Sequence, residues 1–418
     1  MGSPSAREHA RSDTDKMIRA TERDFTMRTQ ALSALRRLTR HAAGACLAAA
    51  SFATPAAANF DTIAEAAYVM DLNTGATLLD KNADEPRPPA SMSKLITLNM
   101  LFEAIEAGQI ALDDSFSVSS RARNMGGSRM FLDEGDRPTV EELIRGIAVL
   151  SGNDATVTVA EGLAGSEAHF ATQATQRARE LGLENTTIAN ASGWPHPDHR
   201  MSMRDLAILS ARLIEEFPQY YGYLSEPEWS YGGITQPNRL PLLDEGVGLD
   251  GLKTGFTSEA GYALAGSAEQ GDRRIVFVIG GLESEQERVE EAERIINWAF
   301  RQFRERTLVE PGTRLGSADV WMGQADSVGL VVEDRVHALL PIRVQDAIAA
   351  ELRHEGPVEA PVAAGARIGE LVIEIPDMET LRVPLVAEHA VERGGFGVRL
   401  RTAAELLTRR LMREAADL

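Results

Sequence analysis

The sequence predicts an α/β domain, in which an antiparallel sheet encloses an all-helical insert, followed by a small all-β sandwich domain. Two β-hairpin patterns flank a long stretch of helical periodicity. After Glu310-Pro311-Gly312, short β-like runs broken by Pro, Gly and acidic residues replace the helical pattern. A chain of 418 residues with 44% hydrophobic residues is long enough for two such domains.

The two hairpins have clear turn signals. The first turns at Asn73-Thr74-Gly75 and the second at Gly271-Asp272, each between short apolar strands. Between the hairpins, Thr139-Val140-Glu141-Glu142 has the form of a capping box and predicts a helix through Leu150. Helical periodicity also covers 154–163, 167–181, 202–216 and, after the second hairpin, 289–303.

Ser91-Met92-Ser93-Lys94 is the segment around which the first domain is organised. Pro88 and Pro89 keep the approach out of helical geometry, so a helix is predicted to begin at about Ser91. Ser91 and Lys94 then lie one turn apart on the same face. A lysine can activate a serine only when it is neutral, which requires its pKa to fall from about 10.4 towards roughly 7 or 8. The pattern therefore predicts a second positive group near Lys94.

Lysine usage points to that second group. Among 43 Lys and Arg residues, the lysines are Lys16, Lys81, Lys94 and Lys253. A lysine retained against such a bias indicates a place where arginine would not serve, because guanidinium cannot be deprotonated and is not a compact charge. Lys253 lies in Gly251-Leu252-Lys253-Thr254-Gly255, and we expect it near Lys94.

A third motif, Ser151-Gly152-Asn153, follows an apolar helix-like run. The set Ser-x-x-Lys, Ser-x-Asn and Lys-Thr-Gly resembles the penicillin-recognising serine acyl enzymes. From about Phe60 to the C-terminus the chain resembles a low-molecular-mass penicillin-binding protein, a serine-type D-alanyl-D-alanine carboxypeptidase. This resemblance implies an α/β transpeptidase-like (β-lactamase-like) catalytic domain, with Lys253-Thr254-Gly255 on a sheet-edge strand beside the cleft.

The resemblance also implies the catalytic roles. Ser91 attacks a carbonyl carbon and forms an acyl-enzyme, while Lys94 takes the serine proton. Ser151 passes a proton to the leaving amine. Asn153 is expected to hydrogen-bond both Lys94 and the substrate amide.

A substrate-binding set follows from the same motifs. Lys253 and Thr254 are expected to meet the terminal carboxylate, and Gly255 to let the backbone approach the ligand. The oxyanion would lie between the backbone N–H groups of Ser91 and Phe256; many relatives have histidine at the Phe256 position. Arg204 matches a family position that supports the carboxylate pocket. The alternative for Arg204 is a surface helix arginine paired with Asp205 or Glu215.

Two loops near these motifs also carry expectations. His196 and His199 have a His-x-x-His spacing, but proline breaks any helix there and no third ligand is evident. We therefore expect a solvated loop, and neither a metal nor a cofactor. The segment Met125–Phe131 looks like the loop bordering the active site in relatives, and its two glycines suit a mobile turn.

The termini predict export and a surface anchor. Residues 1–26 are predicted to be a disordered or misassigned extension. Residues 27–58 are predicted to be a signal peptide, with a basic start, an apolar run and Ala56-Ala57-Ala58 as cleavage site. The sole cysteine, Cys46, falls within it. Residues 59–307 are predicted as catalytic domain, 308–392 as β-sandwich and 393–418 as a basic amphipathic helix on the outer face of the inner membrane, in the periplasm. A helix docked on its own domain is the alternative for the tail.

Composition and motifs limit the partners. A net charge of −19 argues against nucleic-acid binding. The resemblance implies peptidoglycan stem peptides ending in D-Ala-D-Ala as substrate and β-lactams as covalent ligands. A β-lactamase with the same site is one alternative, but residues 184–190 lack the Glu-x-x-Leu-Asn of class A enzymes. A non-catalytic wall-binding scaffold is the other.

Overall fold

The computed structural model describes residues 60–243, 245–342, 348–376, 378–398 and 400. The predicted extension and signal peptide, and most of the predicted tail helix, lie outside the described residues. Of that tail, Phe396 and Leu400 are described, and both side chains are exposed.

The first part of the chain is organised on a five-stranded antiparallel sheet. The strands up to residue 282 are β1 Ala66–Asp71, β2 Thr77–Lys81, β3 Glu228–Tyr231, β4 Ile234–Pro237, β5 Leu249–Thr257, β6 Gly261–Gln270 and β7 Arg273–Leu282. The sheet order is β2-β1-β7-β6-β5, while β3 and β4 form a separate hairpin. Both predicted hairpins of the sheet are confirmed, as β1 pairs with β2 and β6 with β7. The strand β5, which carries Lys253, lies at the edge of the sheet.

Helices between β2 and β5 pack on one face of the sheet, and a last helix after β7 packs on the other face. They are α1 Lys94–Glu106, α2 Ser120–Arg123, α3 Val140–Ala148, α4 Asn153–Ala164, α5 Glu167–Glu180, α6 Met203–Glu215, α7 Pro218–Tyr221 and α8 Glu285–Gln302. The predicted capping box at the start of α3 is present, with Thr139 and Glu142 each accepting from the other's backbone N–H. The helix predicted at Ser91 begins instead with a 3-10 turn over Ala90–Ser93, and α-helical geometry starts at Lys94.

Successive side chains of a strand point to opposite faces of the sheet, and here both faces are buried. On β7, Val276 and Val278 pack into a cluster with the helical insert, whereas Ile275 and Phe277 pack with α8 on the other face. Because both faces are covered, a substrate can reach the sheet only at an edge. The edge strand β5 carries the Lys-Thr-Gly motif.

A β-rich part follows α8. Its strands are β8 Phe303–Val309, β9 Arg314–Trp321, β10 Ser327–Val331, β11 Val336–Pro341, β12 Ala349–His354, β13 Val358–Glu359, β14 Arg367–Glu374 and β15 Leu381–Ala387. A six-stranded sheet in the order β12-β14-β15-β10-β9-β13 and the pair β11-β8 share one apolar core. The predicted boundary at 307/308 falls inside β8, which pairs with β11. None of the helices in the described ranges is both long and apolar enough to cross a membrane.

Candidate active site

Ser91, the predicted nucleophile, lies in a tight turn next to Lys94, the predicted base. Ser91 belongs to the 3-10 turn before α1, and Ala90 enters this turn with φ 48°. The Nζ of Lys94 lies 2.7 Å from Ser91 Oγ, within hydrogen-bond distance. Ser91 and Lys94 therefore have the geometry required for proton transfer from the serine to the lysine.

Lys94 is completely buried, and two effects favour its neutral form. Burial lowers the pKa of Lys94 well below its usual value, and the charge of Lys253 lowers it further, while Asp154 acts in the opposite direction. Lys94 Nζ also donates to the carbonyl of Ser192 at 2.6 Å. This second contact fixes the amine beneath Ser91.

Lys253 is the second cation that the sequence predicts. It is buried on β5, and burial together with Arg239 and Arg288 lowers its pKa to about 7. Lys253 thus influences Lys94, while two arginines influence Lys253. Lys94, Lys253, Arg239 and Arg288 therefore lie close together at this edge of the sheet.

The Ser-x-Asn motif borders the cleft from the start of α4. Ser151 is buried with φ 58°, and Asn153 is the first residue of α4. The expected bond between Asn153 and Lys94 is not formed. Asn153 Nδ2 donates to the carbonyl of Gly126 at 2.7 Å, so the amide holds the loop 125–131 instead.

Gly255 has a packing role that the sequence did not predict, and it also lines the cleft. A Cβ at this position would lie 3.1 Å from the carbonyl oxygen of Pro89 and 3.2 Å from Ala90 Cβ. The absent side chain therefore lets β5 pack against the nucleophile turn. Phe256, the next residue, is 54% exposed, and its ring lies 4.3 Å from that of Tyr262.

Arg204 does not belong to the cleft, so its predicted place in the carboxylate pocket is corrected. Its Nε donates to Asp84 at 2.7 Å, a second nitrogen donates to Asp80 at 2.5 Å, and the guanidinium lies over the Tyr68 ring. These contacts occupy the guanidinium. The alternative of a surface ion pair is correct in kind, although the partners are Asp80 and Asp84.

Two arginines that sequence reasoning missed line the cleft. Arg239 is exposed and has no carboxylate partner among the residues described. Arg288 is buried on α8, pairs with Glu285 at 2.7 Å, and has an Nε without a partner in the described part of the chain. No pattern distinguishes these two from the many other arginines, since their proximity to Lys253 comes from the tertiary fold.

The loop between α5 and α6 contacts Lys94 and the turn that carries Ser91. Asn190 Oδ1 accepts from the backbone N–H groups of Gly193 and Trp194 at 2.9 and 3.0 Å. A Cβ at Gly193 would lie 1.9 Å from Ala90 O, so glycine is required for this contact. His199, expected on a solvated loop, is buried, and burial lowers its pKa to about 4. The prediction for His199 is therefore wrong, because its Nδ1 accepts from Ala189 N inside the loop.

All three motifs open onto one cleft of about 810 Å³. Its volume is in the range of small-ligand sites. The lining includes Ser91, Ser151, Asn153, Thr254, Gly255, Phe256, Trp194, Arg239 and Arg288. A second cavity of about 610 Å³, beside Glu103 on α1, contains none of the motif residues.

The fold and this cleft define a serine-type hydrolase. Residues 52–283 match the family model for D-alanyl-D-alanine carboxypeptidase, and residues 303–393 match the model for the C-terminal domain of penicillin-binding protein 5. The chain belongs to the D-alanyl-D-alanine carboxypeptidase family and is a serine-type carboxypeptidase of the low-molecular-mass penicillin-binding protein class.

Individual relatives agree with this assignment. D-alanyl-D-alanine carboxypeptidase DacD of Salmonella typhimurium is 35% identical over 340 residues, which cover 79% of this chain and 87% of that protein. Penicillin-binding protein 5 of Haemophilus influenzae is similar in structure, with a TM-score of 0.71 and 31% identity, covering 80% of this chain and 99% of its own. Penicillin-binding protein D2 of Listeria monocytogenes, solved with ampicillin bound, is 30% identical with a TM-score of 0.53, covering 58% of this chain and 99% of its own.

Proposed function

We propose that this enzyme removes the terminal D-alanine from peptidoglycan stem pentapeptides through an acyl-enzyme on Ser91, and that β-lactams acylate the same serine. The observation that carries the proposal is the buried Lys94 amine, 2.7 Å from Ser91 Oγ and close enough to Lys253 for that charge to favour its neutral form. The ampicillin-bound relative supports the β-lactam part.

Acylation uses Ser91, Lys94 and Ser151. Ser91 Oγ attacks the carbonyl carbon of the penultimate D-alanine while its proton moves to Lys94 Nζ. The resulting oxyanion lies between the backbone N–H groups of Ser91 and Phe256, each worth about 3–4 kcal/mol in the transition state. The C–N bond then breaks, and Ser151 passes its proton to the leaving D-alanine amine while it takes up the proton held by Lys94, so that Lys94 is neutral again. Water later hydrolyses the ester and restores Ser91.

The cationic side of the cleft binds the substrate carboxylate. Thr254 donates its hydroxyl, and Lys253 supplies a charge while it is protonated. Arg239 and Arg288 add further donors, since neither guanidinium is fully used by the described residues. This local cluster overcomes the net charge of −19, which would otherwise repel an anion.

Carboxypeptidase chemistry fits the cleft better than β-lactamase chemistry. Among the cleft-lining residues that the structure describes, the one carboxylate is that of Glu285, and it is paired with Arg288. Class A β-lactamases use a glutamate to hydrolyse the β-lactam ester quickly. We therefore expect a β-lactam ester that persists.

Intact mass of the purified protein tests the acylation site. Incubation with benzylpenicillin should add one drug molecule, and Ser91→Ala should abolish the addition. Ser128→Ala is the matched control, because Ser128 lines the same cleft and contributes its backbone carbonyl to Asn153. Labelling that persists in Ser91→Ala, or that is lost in both variants, contradicts Ser91 as the nucleophile.

We also propose that the enzyme is exported to the periplasm and is peripheral on the outer face of the inner membrane. The support is the signal-like pattern at 27–58 and the apolar face with surrounding arginines at 393–418. Peptidoglycan is assembled outside the cytoplasm, so the substrate proposed above requires the same location.

A further inference from the structure

Trp194 presents an apolar surface inside the cleft that the catalytic steps do not use. Its side chain lines the cleft and is 48% exposed. Tryptophan has the largest apolar side chain, and leaving it in water is costly. Phe256, the other exposed aromatic of the cleft, differs because its ring stacks on Tyr262, over which Arg288 lies.

The ring of Trp194 rests on a surface that two glycines make possible. A Cβ at Gly126 would lie 3.1 Å from Trp194 Cη2, and one at Gly127 would lie 3.5 Å from Cζ3. A Cβ at Gly127 would also lie 2.9 Å from Asn153 Nδ2. The loop therefore has no side chains where the ring packs, and the ring lies close to the Ser-x-Asn motif.

The backbone of Trp194 is held in place as well. Its N–H donates to Asn190 Oδ1 at 3.0 Å, and its carbonyl accepts from Asn190 Nδ2 at 2.9 Å. The preceding Gly193 packs on the carbonyl of Ala90, next to the nucleophile. A ring fixed at both loop and turn keeps a constant position relative to Ser91.

The cleft thus has two chemically different sides. Lys253, Arg239 and Arg288 supply positive charge on one side, which suits the leaving carboxylate end of the substrate. Trp194 and the glycine loop form an uncharged side beside Asn153, which suits the part of the substrate that stays on the enzyme as the acyl group.

We infer that Trp194 is a specificity-determining residue that selects acyl donors with an apolar group, a flat ring or an aliphatic side chain, in the part that stays on the enzyme. This inference rests on the proposed acylation of Ser91. The group would cover the exposed part of the indole and exclude water from both surfaces. A donor without such a group gains nothing from the ring.

Two penicillins with the same bicyclic nucleus test the inference, because only one of them carries an apolar side chain. Benzylpenicillin carries a phenylacetyl side chain, and 6-aminopenicillanic acid carries none. Intact-mass time courses give the second-order acylation rate for each. Trp194→Ala should lower the rate with benzylpenicillin about five- to tenfold, and should change the rate with 6-aminopenicillanic acid less than about twofold. Trp194→Phe should retain most of the preference.

The ratio of the two rates separates specificity from damage to the fold. Phe131→Ala is the matched control, since Phe131 is 47% exposed but does not line the cleft, and it should leave the ratio unchanged. Equal losses with both penicillins in Trp194→Ala would show a structural role and overturn the inference, as would an unchanged ratio. Absence of acylation in the wild-type enzyme would instead contradict the proposed function.

Discussion

Lys94 and Lys253 are both buried in the same site, yet the proposed chemistry needs them in opposite charge states. Lys94 must be neutral to accept the serine proton, and Lys253 must be charged to attract a carboxylate. The pKa of Lys94 lies well below its usual value, and that of Lys253 is lowered to about 7. Burial and the charge of Lys253 favour the neutral form of Lys94, while Lys253 keeps its proton below a pH of about 7.

We predict that kcat/KM falls at alkaline pH, and that this alkaline limb belongs to Lys253. As the pH rises through about 7, Lys253 loses its proton and the carboxylate loses a charged partner. Lys253→Arg should keep part of the activity and remove this limb, because arginine stays protonated. Lys94→Arg should abolish nearly all acylation at every pH, because arginine cannot act as a neutral base. D-alanine release from a pentapeptide across pH gives the profile.

Lys81→Arg controls for the lysine-to-arginine change. Lys81, the last residue of β2, donates to the carbonyl of Thr62 and is not among the cleft-lining residues. Its profile should match the wild type. An alkaline limb that remains in Lys253→Arg would assign it to another group, and near-normal acylation by Lys94→Arg would show that Lys94 is not the base.

At the level of elements, the start of α4 organises the loop that borders the cleft. Asn153 binds the carbonyls of Gly126 and Ser128. The next residue, Asp154, is fully buried and accepts from the backbone N–H groups of Met130 and Leu132 at 3.0 and 3.1 Å. The loop expected to be a mobile turn is therefore tied to a helix along its length.

We predict that Asp154→Asn lowers the free energy of unfolding by about 1–3 kcal/mol. An asparagine can accept with one oxygen only, so its NH₂ group would face a buried backbone N–H that loses its acceptor. Urea denaturation followed by circular dichroism gives the difference. The acylation rate should fall as well, since the same loop borders the cleft.

The neighbouring Asp133→Asn is the control for Asp154→Asn. Asp133 is exposed and pairs with the exposed Arg123, so its loss should change the unfolding free energy by less than about 0.5 kcal/mol. Equal effects of the two variants would mean that burial of the Asp154 carboxylate contributes nothing to stability.

At the level of the whole molecule, much of the fold could be predicted because its signals are local. Turn residues identified the hairpins, the capping box identified α3, and short β-like runs indicated a β-rich part after residue 312. The strand β8 is among those that were missed. Its residues 303–309 are rich in Arg and Glu and have no apolar alternation, and they become a strand through pairing with β11.

Only those site residues that belong to a sequence motif could be predicted. The scarcity of lysine identified Lys94 and Lys253, and the structure places both in one buried cluster. Arg204, Arg239 and Arg288 could not be sorted in this way. Asp80 and Asp84, far from Arg204 in sequence, remove it from the site, and the packing of α8 on the sheet brings Arg288 into it.

The proposed membrane attachment predicts a change in partitioning for the whole enzyme. Truncation before Phe396 should move the protein from the pellet to the supernatant in sedimentation with anionic liposomes. Each well-placed arginine contributes about 1 kcal/mol near an anionic surface, so the binding should weaken as salt is added. Acylation by benzylpenicillin should be unchanged, because the tail lies outside the catalytic motifs.

Liposomes of neutral lipid are the control, and they should sediment less of the full-length protein. If the full-length protein stays in the supernatant with anionic liposomes at low salt, the tail is a docking or dimerisation helix and does not anchor the enzyme.

The strand order has a consequence for the time at which the enzyme becomes active. Ser91 and Lys94 follow β2 early in the chain, but β1 is joined to β5 only through β7 and β6, which are synthesised last in the sheet. A chain that stops before residue 282 has Ser91 and Lys94 but lacks the complete sheet that positions Lys253. Such a fragment should react with neither a peptide nor a β-lactam, so the topology delays activity until the whole sheet has been synthesised.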